Sequence, residues 1–258
     1  MSLPDPLPLD DALQQMRASG YARLSAAALA RLSCTTESAL KALAPAWHDL
    51  PSDQYLKDGG RYRRRRHGSW VWQADGPTLA QVPHRPHWQP TDYNALHGGM
   101  LRQFEPIDPR VAQSPAFTGL LKGLSAQFAD MARAQPPRLG EPVFDGRWFI
   151  EAHTFRIDTE GGVGRPTPEG AHRDGMAYVA VILVDRAGIL GGETRVFEAD
   201  GPHGVRFTLT EPWSALLLDD ARVIHESTPI QPQQPGVLGH RDTLVITFRA
   251  QAFQDPPA

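Results

Sequence analysis

Several features that define other protein classes are scarce in this chain. Cys34 is the only cysteine, so no disulfide can form within the chain, and we expect a reducing compartment, the cytoplasm. No apolar run is long enough for a membrane-spanning helix, and Met1 to Pro6 show no secretory signal pattern. The 26 basic and 29 acidic residues nearly balance, which argues against nucleic-acid or membrane partners.

Turn-forming residues, by contrast, are plentiful. The chain has 24 prolines and 23 glycines among 258 residues, as expected for many turns between short strands.

We predict one domain over residues 1–258, with a mainly helical N-terminal flank and loops in 1–140 and a β core in 141–252. Ser114-Pro115 opens the clearest helix, because a capping serine precedes a proline at the first helical position.

An H-x-D motif lies at His172 and Asp174, and His225 follows 53 residues after the first histidine (225 − 172). Residues i and i+2 of an extended strand project to one face, so the imidazole and the carboxylate can lie side by side. Two such ligands and one distant histidine form the facial triad that suits non-haem Fe(II). The motif alone is weak evidence, because a surface strand can also carry it by chance.

The context of the motif strengthens this interpretation. Residues 175–184 read as a strand by their β-branched content, and Gly191-Gly192 indicate a turn that allows close backbone approach beside the site. The final run, residues 241–250, divides by parity. Arginines and threonines occupy one face together with a valine: Arg241, Thr243, Val245, Thr247 and Arg249. Such a face is typical of a lining for an anion, since arginine binds carboxylates through two parallel hydrogen bonds.

The order of these motifs resembles the Fe(II)/2-oxoglutarate-dependent dioxygenases. More closely, residues 165–175, 191–193, 218–220 and 240–249 resemble the branch that contains the free L-isoleucine 4-hydroxylases and BsmA, a bacterial protein associated with biofilm formation and stress. The resemblance covers roughly residues 144–249 and is less specific in the N-terminal half. It implies a double-stranded β-helix, that is, a cupin-like jelly roll, with N-terminal helices.

The resemblance also implies ligands and roles. His172, Asp174 and His225 would hold Fe(II), with no catalytic residue beyond these ligands. Arg241, helped by Thr243, would bind the distal carboxylate of the cosubstrate 2-oxoglutarate, with O2 as the oxidant and ascorbate as a stimulant. Tyr178 shares the parity of the H-x-D motif and is predicted either to contact 2-oxoglutarate or to fill the interior. Arg249 is predicted to contact the cosubstrate or Asp174.

An arginine-rich segment, residues 61–66, has five arginines in six positions. It is open to three interpretations: surface ion pairs on both faces of a strand, a substrate carboxylate site, or a nucleic-acid contact, which the net acidic charge disfavours. For the substrate site we predict Arg64 and Arg66. On the predicted strand 144–158, His153 or Arg156 is predicted to approach the bound molecules.

Residues 81–109 form a long segment without periodicity, rich in proline and histidine. His84, His87 and His97 lie here, but no carboxylate or cysteine completes a recognised metal spacing, so we predict structural or lid residues. Long loops inside a compact domain are often functional.

Three functional hypotheses follow. The first is a dioxygenase that hydroxylates an aliphatic C–H of a small molecule, a free L-amino acid in particular. The second is a catalytically silent metal- or ligand-binding jelly roll with a role in biofilm, motility or stress. The third is a cupin-like enzyme that uses the same ligands without 2-oxoglutarate. The substrate, the attacked carbon and the oligomeric state cannot be read from the sequence.

Overall fold

The computed structural model describes residues 8–135 and 142–257. Five α-helices lie within these ranges, all before residue 135: α1 Leu9–Ser19, α2 Ala26–Leu32, α3 Glu37–Lys41, α4 Pro109–Ala112 and α5 Pro115–Ala134. A short 3-10 helix spans Ala44–Trp47. Twelve strands are described: β1 Tyr21–Leu24, β2 Arg63–Gln73, β3 Thr78–Gln81, β4 Arg147–Asp158, β5 Tyr178–Ala187, β6 Ile189–Gly191, β7 Thr194–Glu198, β8 Gly204–Phe207, β9 Ala215–Asp219, β10 Val223–Ser227, β11 Ile230–Pro232 and β12 His240–Arg249.

The strands form one large sheet and two small ones. The large sheet has seven strands in the order β1-β9-β5-β12-β4-β2-β3, and the small sheets have the orders β10-β7-β8 and β11-β6. Every strand pairing is antiparallel. The fold is therefore mainly β with a helical flank, as the sequence predicted.

The large sheet has a helix-covered face and an inner face. Leu244, Ile246 and Phe248 of β12 belong to the core that the sheet forms with α1, α2 and α5. The intervening residues Thr243 and Val245 line a cavity on the opposite face. The predicted parity of this strand is confirmed over most of its length, because alternate strand residues project to opposite faces.

A second apolar cluster joins the inner face of the large sheet to the three-stranded sheet. Its members come from β5, β9, β7, β8 and β10 and include Val179, Leu216, Val196, Phe207 and Val223. The two sheets thus pack face to face at one end, as in a jelly roll, and leave the cavity open between them at the other.

The predicted helix start at Ser114 is confirmed. Its side chain accepts a hydrogen bond from the Phe117 backbone, and Pro115 is the first helical residue. Phe117, Leu120, Leu124 and Phe128 of this helix are buried against the sheet. Among the described helices, none is both long and apolar enough to cross a membrane.

The first 140 residues contribute more strand than the sequence predicted. The eleven-residue strand β2 pairs along its whole length with β4, and β1 pairs with β9. The predicted helical flank therefore also completes the β core, since three strands of the large sheet come from this part of the chain.

Candidate metal and cosubstrate site

The H-x-D motif lies in a turn that enters β5, not in the strand itself. Gly175 has a φ of +73°, a left-handed conformation that glycine adopts without strain, and β5 begins three residues later. The backbones of His172 and His225 exchange two hydrogen bonds, of 3.0 and 2.9 Å. This pairing brings the two distant histidines side by side.

The three predicted metal ligands form one compact group. Asp174 Oδ1 lies 3.6 Å from His172 Nε2, and Asp174 Oδ2 lies 3.8 Å from His225 Nε2. The three candidate ligand atoms lie within 4.8 Å of one another. His172 Nδ1 is 2.9 Å from the Gly170 carbonyl oxygen and donates to it, which leaves Nε2 free for a metal. Two imidazoles and one carboxylate fit the donor set of non-haem Fe(II).

The protein groups of this triad already form a charge pair. Burial opposes the charge on His172, but the hydrogen bond and charge of Asp174 outweigh it and raise the pKa of His172 to about 10. Burial likewise opposes ionisation of Asp174, yet His172 lowers the pKa of Asp174 to about 2. Burial and the charge of His172 lower the pKa of His225 to about 4. Asp174 is therefore held charged and His225 neutral, the states in which these groups bind metals, whereas His172 has to release a proton when a metal binds.

Asp220 supports the loop that carries the ligands. Its buried carboxylate accepts hydrogen bonds from the backbone N–H groups of Asp174, at 3.0 Å, and Met176, at 2.9 Å. Residues 218–220 carried part of the family resemblance, but this role of Asp220 was not predicted, because it depends on how the turn before β5 packs against the end of β9.

Arg241 lines the cavity beside the triad, as predicted. It is 3% exposed, and its Nε and Nη2 atoms are buried without a hydrogen-bond partner. Burial, with a smaller contribution from Arg186, lowers the pKa of Arg241 to about 10, so the group stays charged at neutral pH. No acidic side chain in the described ranges forms an ion pair with it. An unpaired buried guanidinium fits the distal carboxylate of 2-oxoglutarate, and Thr243 lines the same cavity.

The cavity between the sheets has a volume of about 130 Å³. Its walls combine the triad, the Arg241 group and residues from strands β2, β4, β5 and β10 and from the segment 87–102. Polar and charged lining residues include Arg63, Arg65, His87, Gln89, Arg102, His153, Glu169, His172, Asp174, His225, Arg241 and Thr243. A small cavity with this many charged residues in its lining suits small, charged ligands.

The predicted substrate residues Arg64 and Arg66 are wrong, because they lie on the outer face of β2. Arg64 donates to Asp158 at 3.2 Å and Glu160 at 2.9 Å, and Arg66 donates to Glu105 at 2.7 Å. The surface interpretation therefore holds for these two. Arg63 and Arg65, on the opposite parity, line the cavity.

The same parity rule separates the two predicted residues of β4. His153 lines the cavity, and its Nδ1 accepts a hydrogen bond from Arg65 at 2.6 Å. Arg156 faces away from the cavity and forms two hydrogen bonds to Asp242, of 2.8 and 2.6 Å. Arg156 is therefore no part of the site.

The predictions for Tyr178 and Arg249 also need correction. The turn at Gly175 breaks the parity between the H-x-D motif and β5, so Tyr178 lies on the helix-covered face and stacks on Phe128 with ring centroids 4.6 Å apart. Arg249, at the end of β12, donates to the backbone carbonyls of Ala252 and Phe253, at 2.7 and 3.3 Å, and does not line the cavity.

Two residues of the long loop reach the triad, which sequence reasoning missed. Gln89 donates to Asp174 Oδ1 at 3.4 Å, and Arg102 donates to Gln89 at 3.0 Å. The backbones of His87 and Arg102 pair with each other, so both ends of the segment 87–102 lie at the cavity wall. The loop sequence has no periodicity, so its length was the only feature that indicated a functional role.

A second group of buried donors lies behind one wall of the cavity: His67, His87, Glu151 and His153. The Glu151 carboxylate lies 3.2 Å from His67 Nε2 and 3.1 Å from His87 Nδ1. Arg85 lies 3.5 Å from the same carboxylate, and Arg65 donates to His153. We interpret the group as a hydrogen-bond network around one buried carboxylate, since Arg85 already pairs with Glu151, and the nearby guanidinium groups of Arg85 and Arg65 would repel a cation.

Fold and site together define a class: a jelly-roll protein with a triad-like group of two histidines and one aspartate that could hold a metal ion, beside a buried arginine without an acidic partner among the described residues. A family model for 2OG-Fe dioxygenases matches residues 44–247. The chain therefore belongs to the 2OG-Fe dioxygenase family and is a 2-oxoglutarate-dependent iron dioxygenase, with Fe(II), 2-oxoglutarate and O2 as the ligands that the family uses.

Solved structures agree with this assignment. A bsmA homolog from Methylobium petroleophilum PM1 is 53% identical, with a TM-score of 0.89 and coverage of 98% of this chain and 97% of that one. IDO from Bacillus thuringiensis shares the fold at 17% identity, with a TM-score of 0.72 and coverage of 98% and 100%. The Fe(II)/(alpha)ketoglutarate-dependent dioxygenase TqaL also shares it, at 16% identity, a TM-score of 0.74 and coverage of 94% and 86%. No curated protein matches the chain.

Proposed function

We propose that this dioxygenase hydroxylates an aliphatic C–H of a small molecule, most specifically a free L-amino acid. One observation carries the proposal: the cavity that contains the triad has two separate cationic regions. Arg241 is one of them, and the group of Arg63, Arg65 and Arg102 is the other. A 2-oxoglutarate carboxylate accounts for the first region, and the second is left for the substrate.

The second cationic region has more positive than negative charge. Arg63 and Arg65 share a single carboxylate, Asp53, at 2.7 and 3.7 Å. Arg102 donates to the neutral amide of Gln89. Nitrogen atoms of all three arginines are buried without a hydrogen-bond partner: Arg63 Nη2, Arg65 Nε and Arg102 Nε. Because unpaired buried donors cost free energy, an anionic group on the substrate is favoured here.

The residues would divide the work as follows. His172, Asp174 and His225 would hold Fe(II), and Arg241 with Thr243 would orient 2-oxoglutarate by its distal carboxylate. When bound, the iron and 2-oxoglutarate supply the activation of O2 for hydroxylation, with succinate and CO2 as the other products. The second arginine group would place the substrate beside the metal.

Succinate release tests the proposal. We expect iron-loaded protein with ascorbate and 2-oxoglutarate to release succinate faster when one of the twenty L-amino acids is added, in particular leucine, isoleucine or methionine. His172→Ala and Asp174→Ala should abolish the release while the protein stays folded, because each removes a metal ligand. The exposed His203 provides a matched control, since His203→Ala should keep the full rate.

Two results would contradict the proposal. Succinate formation that is unchanged in the triad variants would exclude the triad as the metal site. Bound iron and 2-oxoglutarate with no succinate for any small molecule would instead favour the silent jelly roll, for which the complete triad offers no support. A cytoplasmic location, expected from the single cysteine, belongs to the same proposal and can be checked by cell fractionation.

A further inference from the structure

We propose that Glu169 binds the ammonium group of the amino-acid substrate and makes the enzyme selective for amines. The inference rests on the proposed function, because it assigns a role within the same cavity. It goes further by predicting which chemical relatives of an amino acid the enzyme rejects.

Glu169 lies on the cavity wall beside the metal site. Its Oε1 atom is 3.6 Å from His172 Nε2, and its side chain is 13% exposed. Its Oε2 atom is buried and has no hydrogen-bond partner. The carboxylate therefore lines the place where a bound substrate would meet the metal.

The carboxylate of Glu169 has no arginine or lysine partner among the described residues. Within the described ranges, no arginine or lysine nitrogen lies within ion-pair distance of it, and its one charged contact is His172. A buried carboxylate oxygen without a partner costs free energy unless a donor reaches it. An ammonium group supplies both the positive charge and up to three N–H donors.

Glu169 does not complete the metal site. The compact group of ligand atoms within 4.8 Å of one another contains His172, Asp174 and His225 but not Glu169. The oxygen near His172 thus lies to one side of the triad. We infer that it contacts a ligand bound next to the metal.

The surroundings of Glu169 match a zwitterion. An α-amino acid carries an ammonium and a carboxylate on one carbon, so it needs an acceptor and a cationic donor near each other. Arg102 is the nearby donor: burial and the charge of Arg63 lower its pKa to about 10, and Glu169 is among the carboxylates that oppose this shift. The cavity thus contains one unpartnered carboxylate beside an excess of guanidinium groups.

The test compares pairs of substrates that differ only in the amine. L-Leucine, L-isoleucine and L-methionine are each assayed against the 2-hydroxy acid with the same side chain. We expect wild-type protein to prefer the amino acid at least tenfold in kcat/KM. Glu169→Gln keeps the shape but removes the charge, so it should raise KM for the amino acid about tenfold or more and reduce this preference, with a much smaller change in kcat.

Matched controls separate this role from others. Glu160→Gln changes a surface carboxylate that pairs with Arg64, and it should leave the preference unchanged. Fe(II) affinity, measured by titration, should be the same in Glu169→Gln and wild type. Amino-acid binding by calorimetry, without O2 and with Fe(II) and 2-oxoglutarate present, should weaken in the variant in parallel with the rise in KM.

The outcomes distinguish the inference from the proposed function. If no amino acid stimulates or binds the wild-type protein, the proposed function fails. If amino acids react but Glu169→Gln keeps the full preference for the amine, only the role of Glu169 fails. A loss of Fe(II) affinity in Glu169→Gln would also overturn the inference, because it would show that the carboxylate supports the metal.

Discussion

Arg241 shows how much depends on the position of a single side chain. Its guanidinium is buried in the cavity and has no acidic partner among the described residues. Arg156, one strand away, is a similar arginine whose charge is fully engaged by Asp242. The difference between an engaged and a free guanidinium decides which of the two can bind a cosubstrate.

Substitution of Arg241 is expected to weaken 2-oxoglutarate binding. Arg241→Ala should raise KM for 2-oxoglutarate by about 30-fold or more, since truncation of one partner of a buried charge pair costs about 2 kcal/mol or more. Arg241→Lys should lie in between, because lysine keeps the charge but not the planar pair of donors. Steady-state kinetics with varied 2-oxoglutarate measure the effect.

Arg156→Ala is the control for that experiment. It should lower the free energy of unfolding, because Asp242 loses its partner, and leave KM for 2-oxoglutarate unchanged. Equal KM values for wild type and Arg241→Ala would mean that residues other than Arg241 bind the distal carboxylate of 2-oxoglutarate.

At the scale of elements, the turn before β5 positions the metal site. Gly175 follows the ligand Asp174 and has a φ of +73°. A Cβ atom added there would overlap the ring of Tyr93. The loop that contains Tyr93 can thus approach this turn closely only because Gly175 has no side chain.

Gly175→Ala should therefore damage both stability and metal binding. Backbone strain at a left-handed position costs about 1–3 kcal/mol, and the overlap with Tyr93 adds to it and displaces Asp174. Urea unfolding and Fe(II) titration measure the two effects. Gly162→Ala, at a φ of +89° with no atom within 4 Å of the added Cβ, should show the strain alone and normal Fe(II) affinity. Similar losses of metal affinity in both variants would exclude the overlap as the cause.

The same turn marks the limit of prediction from sequence. The spacing of His172, Asp174 and His225, together with the family resemblance, predicted a group that the structure brings together, and the alternation in β12 was sufficient to place Thr243 on the cavity wall. Parity failed for Tyr178, since it holds only within one unbroken strand and Gly175 interrupts the chain. Contacts of the aperiodic loop, such as that of Gln89 with Asp174, need the tertiary structure.

Parity could have predicted the arginines of β2 correctly. Trp70 and Trp72 are large apolar residues and both are buried in the core under the helices. Residues of the same parity, Arg64 and Arg66, must then lie on the helix side of the sheet or at its edge. The inward position of Arg63 and Arg65 follows from the sequence once the tryptophans are assigned to the core.

At the scale of the whole molecule, the large sheet separates the helix-covered apolar core from a face that bears most of the buried charged groups. Helices cover one face, while the other bears the cavity and the buried network around Glu151. His87 in this network is 5% exposed, and burial lowers its pKa from 6.5 to about 4. Burial lowers the pKa of His67 and His153 in the same direction.

This network predicts a loss of stability in mild acid. The unfolded chain binds protons at these histidines below about pH 6.5, whereas the folded chain binds them only at lower pH, so the free energy of unfolding decreases as the pH falls from 6.5 towards 4. His87 alone contributes at most about 3 kcal/mol to this loss, at 1.36 kcal/mol per pH unit. Urea unfolding at several pH values measures the slope.

His87→Gln should reduce that slope by about one proton, whereas substitution of the exposed His203 by Gln should not change it. Stability that stays constant or increases between pH 6.5 and 5 would show that the histidines are already protonated in the folded protein. The network would then be a cluster of charged pairs with Glu151.

The run Arg63–Arg66 has a consequence for variation in the length of the chain. Identical neighbours cannot specify the register of a strand, so the register of β2 is set downstream by Trp70 and Trp72. If one arginine of the run were deleted, Tyr62 would occupy the inward position now held by Arg63, and the tryptophans would stay in place. If one arginine were inserted, the additional arginine would lie on the outer face. A deletion in the run thus removes one inward cation and changes the charge of the cavity, whereas an insertion leaves the inward cations as they are.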